Sequence, residues 1–151
     1  MTKRRLGTVA LLVIGAVLVL SSCGGGSSKR LTKEQFAAKS NALCAAFNDQ
    51  VTAAGTPTTI ATAIVMYKKL LPFDKKLIAD VKKLKPPANE AADVKRGIVL
   101  QEEQAARAEA LIAALEKNDI KQATKLAAES DATQKESKAI FIKLGAAECA
   151  K

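Results

Sequence analysis

From residue 31 onward, apolar positions recur at the three- and four-residue spacing of helices that each bury one face. Leu31, Thr32, Gln35 and Phe36 stand where a hydrophobic staple encloses a capping box, which predicts a helix start. Phe36, Ser40, Leu43, Cys44, Phe47 and Val51 form the inward stripe of that helix, and Gly55 is its stop. A second helix is predicted with Thr56 as N-cap and Pro57 at the first helical position, where a missing N–H costs nothing. Its stripe is Ile60, Ala63, Ile64, Tyr67, Leu70, Leu71, Leu77, Ile78, Val81 and Leu84. Pro72 interrupts it by removing a hydrogen bond and crowding the preceding turn, so a kink near Leu71, or two shorter helices end to end, is expected.

Pro86 and Pro87 turn the chain into a third helix over residues 88–117, with Val94, Ile98, Gln101, Ala105, Ala108, Leu111, Ile112 and Leu115 inward. Gly97 lies inside it at a cost of ~1 kcal/mol relative to alanine. Either a neighbouring helix comes close there, or the glycine is an inert surface residue. Asp119 as N-cap and Gln122 at N3 open a fourth helix over 120–144. Its stripe of Ile120, Ala123, Ala127, Ser130, Gln134, Ser137, Phe141 and Leu144 is small and polar, and Gly145 ends it. Four helices on short turns favour antiparallel neighbours, hence an all-α fold, an up-down-up-down four-helix bundle.

The residues ahead of the bundle have another logic. Lys3, Arg4 and Arg5 precede an apolar run over 8–20, too short for a bilayer core that needs ~20 apolar residues, and small residues follow. Leu20-Ser21-Ser22-Cys23 resembles the lipobox of bacterial lipoproteins. That resemblance implies cleavage between Ser22 and Cys23, a diacylglyceryl group with palmitate-like chains on the Cys23 sulfur, and a further chain on the new amino terminus. Two or more chains hold a protein on a membrane stably. The expected organisation is a signal peptide over 1–22, an acylated cysteine and glycine- and serine-rich tether over 23–30, and a bundle domain over 31–151. The expected location is extracytoplasmic, lipid-anchored to the cell membrane, with Lys29 and Arg30 near the headgroups.

With Cys23 acylated, Cys44 and Cys149 remain as an even pair outside the reducing cytosol, and a disulfide between them is expected. The bundle also resembles small, uncharacterised helical lipoproteins of actinobacteria. The likeness lies in Phe36, Asn41 and Cys44 of the first helix, the Leu71-Pro72 step, the Pro86-Pro87 pair and the terminal Cys149. It implies a fold and a location, and brings no catalytic residues.

Charge adds one surface feature. The chain has 24 Lys plus Arg against 15 Asp plus Glu, and loss of Lys3, Arg4 and Arg5 would lower its formal charge from +9 to +6. Lys68 with Lys69, Lys75 with Lys76, and Lys82 with Lys83 repeat at seven-residue intervals, which drift only ~20° per heptad on a straight helix. They predict a ladder relieved only by Asp74 and Asp80, which is either a solubilising surface or an anion-binding face for lipid headgroups, an anionic wall polymer or an acidic protein.

The chemistry narrows by composition. Without histidine, the common zinc sites, histidine triads and Glu-x-x-His di-iron pairs are not available, and no metal or other cofactor is implied. Glu102 and Glu103 are adjacent and face different ways, while Glu102, Glu109 and Glu116 read as a solvated acidic row. Met66 and Tyr67 read as core. Gly24 to Gly26 form no phosphate loop, and the basic face lacks the interleaved aromatics of a nucleic-acid binder. The expectation is a non-catalytic binding or interaction module. Its alternative is a carrier of a small apolar or lipid-like ligand in the alanine-rich seam of the third and fourth helices.

Overall fold

The computed structural model describes residues 29–151, so Cys23 and the lipobox lie outside the described residues. Four helices carry the fold: α1 (Lys33–Ala54), α2 (Ile60–Lys83), α3 (Ala91–Glu116) and α4 (Ile120–Lys143), with 3₁₀ turns at Ala88–Glu90 and Ala147–Ala150. There is no strand among the described residues. The fold is all-α, its helices packed on one another around a shared core.

Helix ends follow local chemistry. The Thr32 hydroxyl caps α1 by accepting from the Gln35 N–H, and the Gln35 side-chain Oε1 accepts from the Thr32 N–H. Such a cap is worth ~1 kcal/mol. The start of α2 differs from expectation: the cap is Thr59, not Thr56, and Pro57 lies before the helix. Thr59 and Thr62 exchange side-chain-to-backbone hydrogen bonds of 3.1 and 3.0 Å, a reciprocal pair that Thr56 with Pro57 cannot match. α2 then runs through Pro72 as one helix, so it is not two shorter ones. Pro72 and Lys68, whose carbonyl the proline leaves without its helical N–H, are both on the exposed side.

Two helices end in the same motif. At the end of α3 the Asp119 N–H reaches the Ala114 carbonyl at 2.9 Å, around Asn118 at φ 56°. At the end of α4 the Ala146 N–H reaches the Phe141 carbonyl at 2.8 Å, around Gly145 at φ 78°. Both are Schellman closures, and in the second Ala146 also packs on Phe141 in the core.

The core has three parts. Phe36, Val94, Phe141, Leu144 and Ala146 fill the end near the chain's entry, where the Leu31 N–H donates to the Lys85 carbonyl at 2.8 Å. Cys44, Leu77 and Val81 form the second part, and Ala114, Ala123 and Leu126 the third. α4 turns a slightly different face inward from the one its pattern suggested. Leu126 and Thr133 are buried, whereas Ala127, Gln134 and the 46% exposed Ile120 are not. On α3, Leu100 and Ala114 join the core. Gly97 is there for space: a Cβ would sit 3.2 Å from the Phe141 ring and 3.3 Å from the Ile140 methyl. The close approach of α4, not an inert surface, explains it.

The chain's end is part of the bundle. Cys44 and Cys149 are joined as a disulfide, closing 105 residues. One turn to either side of Cys44, Asn41 donates to the Gly145 carbonyl at 3.1 Å and accepts from the Glu148 N–H at 2.9 Å, while Asn48 donates to the Glu148 carbonyl at 2.9 Å. Residues 41, 44 and 48 share one helix face, so this stripe of α1 holds the tail between α1 and α4.

Candidate binding site

The lysine ladder is the natural first place to look, and the structure gives it partners. Lys68 pairs with Glu116, Lys75 with Glu109, and Lys82 with Glu102. The acidic row of α3 is therefore the other half of the ladder, and not a separate solvated row. As the α2 number rises by seven the α3 number falls by seven, so these helices run antiparallel along the seam. Lys76 and Lys83 both grip Asp80, and their hydrogen bonds hold its carboxyl down to about 2. Only Lys69 of the six has no carboxylate partner among the described residues. The field expected from six lysines, with only Asp74 and Asp80 in relief, is thus largely neutralised in place.

The alanine-rich seam is filled as well. Ala114 and Ala123 bring α3 and α4 together, and Leu111, Leu115 and Leu126 occupy the space beside them. Farther along, Arg96 grips Glu136 through two bonds of 2.7 and 2.9 Å, and Arg107 donates to Thr133 at 2.7 Å. Among the described residues no group of three His, Cys, Asp or Glu is placed to hold a metal ion, and no helix is long and apolar enough to cross a membrane.

What the structure does bring together is a polar cleft of about 130 Å³, walled by all four helices and the tail. α1 contributes Phe47 and Asn48, α2 Asp74, α3 Gln101 and Gln104, and α4 Gln134, Ser137 and Lys138. The Cys44–Cys149 disulfide forms part of the wall, with the Lys151–Glu148 ion pair, 2.6 Å, beside it. Gln101, Gln104 and Ser137 stand at this level where aliphatic residues fill the bundle elsewhere, and the exposed Gln134 lies at the cleft's edge.

Two features of the cleft have chemical weight. Gln101 Oε1 and Gln104 Nε2 are buried without a hydrogen-bond partner from the protein, one an acceptor and the other a donor. A buried polar atom left unmatched costs about 1–3 kcal/mol, so both favour a guest that completes them. Asp74 is part-buried, and burial pushes its carboxyl from the ordinary 3.8 up to about 6. No cation offsets that rise. The cleft can therefore bind and orient a small polar molecule, accepting through Asp74 and Gln101 and donating through Gln104 and Lys138.

Sequence reasoning placed Gln101, Gln134 and Ser137 on inward faces without joining them, and it read Asp74 as surface relief for the lysines. Lys138 and Gln104 were missed. The available signal was Gln101 in the otherwise apolar stripe of α3; Gln134 and Ser137 did not stand out in a stripe of α4 that is small and polar throughout. Compared with protein-family models, curated proteins and solved structures, the chain matches none.

Proposed function

We propose that the protein is an extracytoplasmic lipoprotein, tethered to the cell membrane through Cys23, that acts as a non-catalytic binding module with the polar cleft as its binding site. The observation that carries the binding half is the cleft itself, a partly open pocket among the four helices and the tail whose walls present unmatched hydrogen-bonding groups. The tether rests on Lys3, Arg4 and Arg5, the short apolar run and Leu20-Ser21-Ser22-Cys23. From the start of α1 at Lys33 the cleft's first lining residue, Cys44, lies about 16 Å along the helix, so the cleft stands up the bundle from the start of the described chain. That height suits a site that samples the aqueous phase. The lysine face is not carried into this reading, because five of its six members already have carboxylate partners. Nor is the apolar carrier, since the α3–α4 seam is packed and the cleft is lined by amide and charged side chains as well as apolar ones.

Mass spectrometry of the protein extracted from its own membrane tests both halves. Under denaturing conditions the chain should begin at Cys23 and include acyl mass; a chain that starts elsewhere without acyl mass sinks the tether. Under native conditions a small molecule should be retained and then released on unfolding, and Ser137→Met, which fills the cleft, should abolish it. If the original protein releases nothing, the binding reading fails.

A further inference from the structure

Acidic side chains that leave solvent need a counter-charge, and nearly all of those among the described residues have one. Among the described residues, the acidic side chains withdrawn from solvent are Asp74, Asp80, Glu90, Asp93 and Glu148. Four of them have cation partners: Asp80 with Lys76 and Lys83, Glu90 with Lys33, Asp93 with Lys143, and Glu148 with Lys151. Asp74 has neither an ion pair nor a hydrogen bond there. On the basic side, Lys138 is the only lysine among the described residues that is not exposed, and it too has no carboxylate partner. These two part-buried, unpaired groups of opposite sign line the same cleft. They stand on different helices, α2 and α4, and are not paired with each other. α3 packs against both helices and supplies the wall between them, with its unmatched acceptor on Gln101 and donor on Gln104.

We propose that the cleft takes a small zwitterion of free α-amino-acid size, with Asp74 receiving its ammonium group and Lys138 its carboxylate. The inference rests on the binding-module reading and names the ligand class for it. A simple cation would answer Asp74 and leave Lys138 unpaired; a simple anion would do the reverse. One molecule carrying both charges answers both, and its ammonium and carboxylate can also reach Gln101 Oε1 and Gln104 Nε2. Size agrees. A cavity of ~150 Å³ accommodates benzene, so about 130 Å³ suits roughly six non-hydrogen atoms, the bulk of alanine. Drug-sized ligands need pockets of about 300 Å³ or more. Burial makes the pairing matter: charge-assisted hydrogen bonds are strong, and an unpaired charge held out of water is costly. The raised pKa of Asp74 agrees with a carboxylate that lacks its counter-charge.

Calorimetric titration of the full chain in mild detergent tests this, using glycine and L-alanine as zwitterions, with ethylammonium and propionate as single-charge probes. The zwitterions should bind in the range up to about 1 mM. Each single-charge probe should bind at least about 10-fold more weakly. Asp74→Asn and Lys138→Gln should each weaken alanine about 10-fold or more, and in Asp74→Asn alanine should lose its advantage over propionate. Both substitutions remove a part-buried charge and keep side-chain volume; unchanged helical circular dichroism confirms that any loss is local. The proposal is overturned by no zwitterion binding up to about 10 mM, by ethylammonium binding as tightly as alanine, or by indifference to both substitutions. A retained native ligand that is not a zwitterion overturns this inference and leaves the binding-module reading in place.

Discussion

Asp74→Asn should stabilise the protein at neutral pH and have almost no effect near pH 4. Burial raises the Asp74 carboxyl from 3.8 to about 6, so in the window between those values the folded state holds a proton that the unfolded chain has released. Stability therefore falls as pH rises through the window, levels off above about 6, and is free of this cost below about 4. The groups facing Asp74 across the cleft are Lys138 from α4 and the Glu148 and Lys151 pair from the tail, with uncharged Asn48 from α1 and Gln101 and Gln104 from α3. At ~1.4 kcal/mol per tenfold, the rise corresponds to at most ~3 kcal/mol, and water still reaching the carboxyl reduces this to about 1–2 kcal/mol. Asparagine reproduces the protonated shape without the charge, so the variant should gain that amount above about pH 7 and nothing near pH 4. Urea unfolding of the full chain, followed by helical circular dichroism at both pH values with the disulfide intact, measures the difference directly. Asp80 opposes this trend only below about pH 4, where protonation ends its pairing with Lys76 and Lys83, and it is common to both proteins. An equal offset at the two pH values would refute the assignment of the cost to Asp74 ionisation.

Three further outcomes follow from packing and pairing. Cys149→Ser should destabilise by about 2–4 kcal/mol, below the ~4.7 kcal/mol of a loop near a hundred residues because Asn41 and Asn48 still hold the tail; an unchanged urea midpoint would count against the clasp. Gly97→Ala should destabilise by about 1 kcal/mol, since crowding the fully buried Phe141 ring outweighs a gain of ~1 kcal/mol in helix propensity, and a higher melting temperature would show that α4 yields freely. Lys75→Glu and Glu109→Lys should each cost about 0.5 kcal/mol at low salt, with the double exchange restoring the loss; a strictly additive double variant would mean that the rung contributes nothing.

The capping of α1 by Thr32 and Gln35, and of α4 by Asp119, could be read in advance because both lie within one turn of chain. The α2 start was misread because two local signals compete there, and the reciprocal bonds of Thr59 and Thr62 prevail over a proline at the first position. The middle of α4 was misread by phase. Leu126 and Thr133 face inward where Ala127 and Gln134 were expected, and small residues give a weak moment that tolerates such a turn. Lys68, Lys75 and Lys82 were legible as a row, as were Glu102, Glu109 and Glu116, yet only the register of α2 on α3 makes them one structure. The site was the least legible part. Asp74 looks like a surface acid among lysines, and its burial arises from where α2 sits against three other elements.

The ladder of Lys68, Lys75 and Lys82 with Glu116, Glu109 and Glu102 has a consequence for how the helices find their alignment. Its spacing is uniform, so a slide of α3 past α2 by two turns would still pair Lys68 with Glu109 and Lys75 with Glu102. The slipped arrangement loses one exposed pair, a difference of less than ~1 kcal/mol. The ladder is thus a ruler with identical marks, which fixes direction and azimuth but cannot count. Counting falls to features that occur once: the short connection over residues 84–90, and the packing of Leu77 and Val81 of α2 with Ile98 of α3. Sequence changes at those few positions would be expected to release misaligned bundles whose surface charge looks entirely normal.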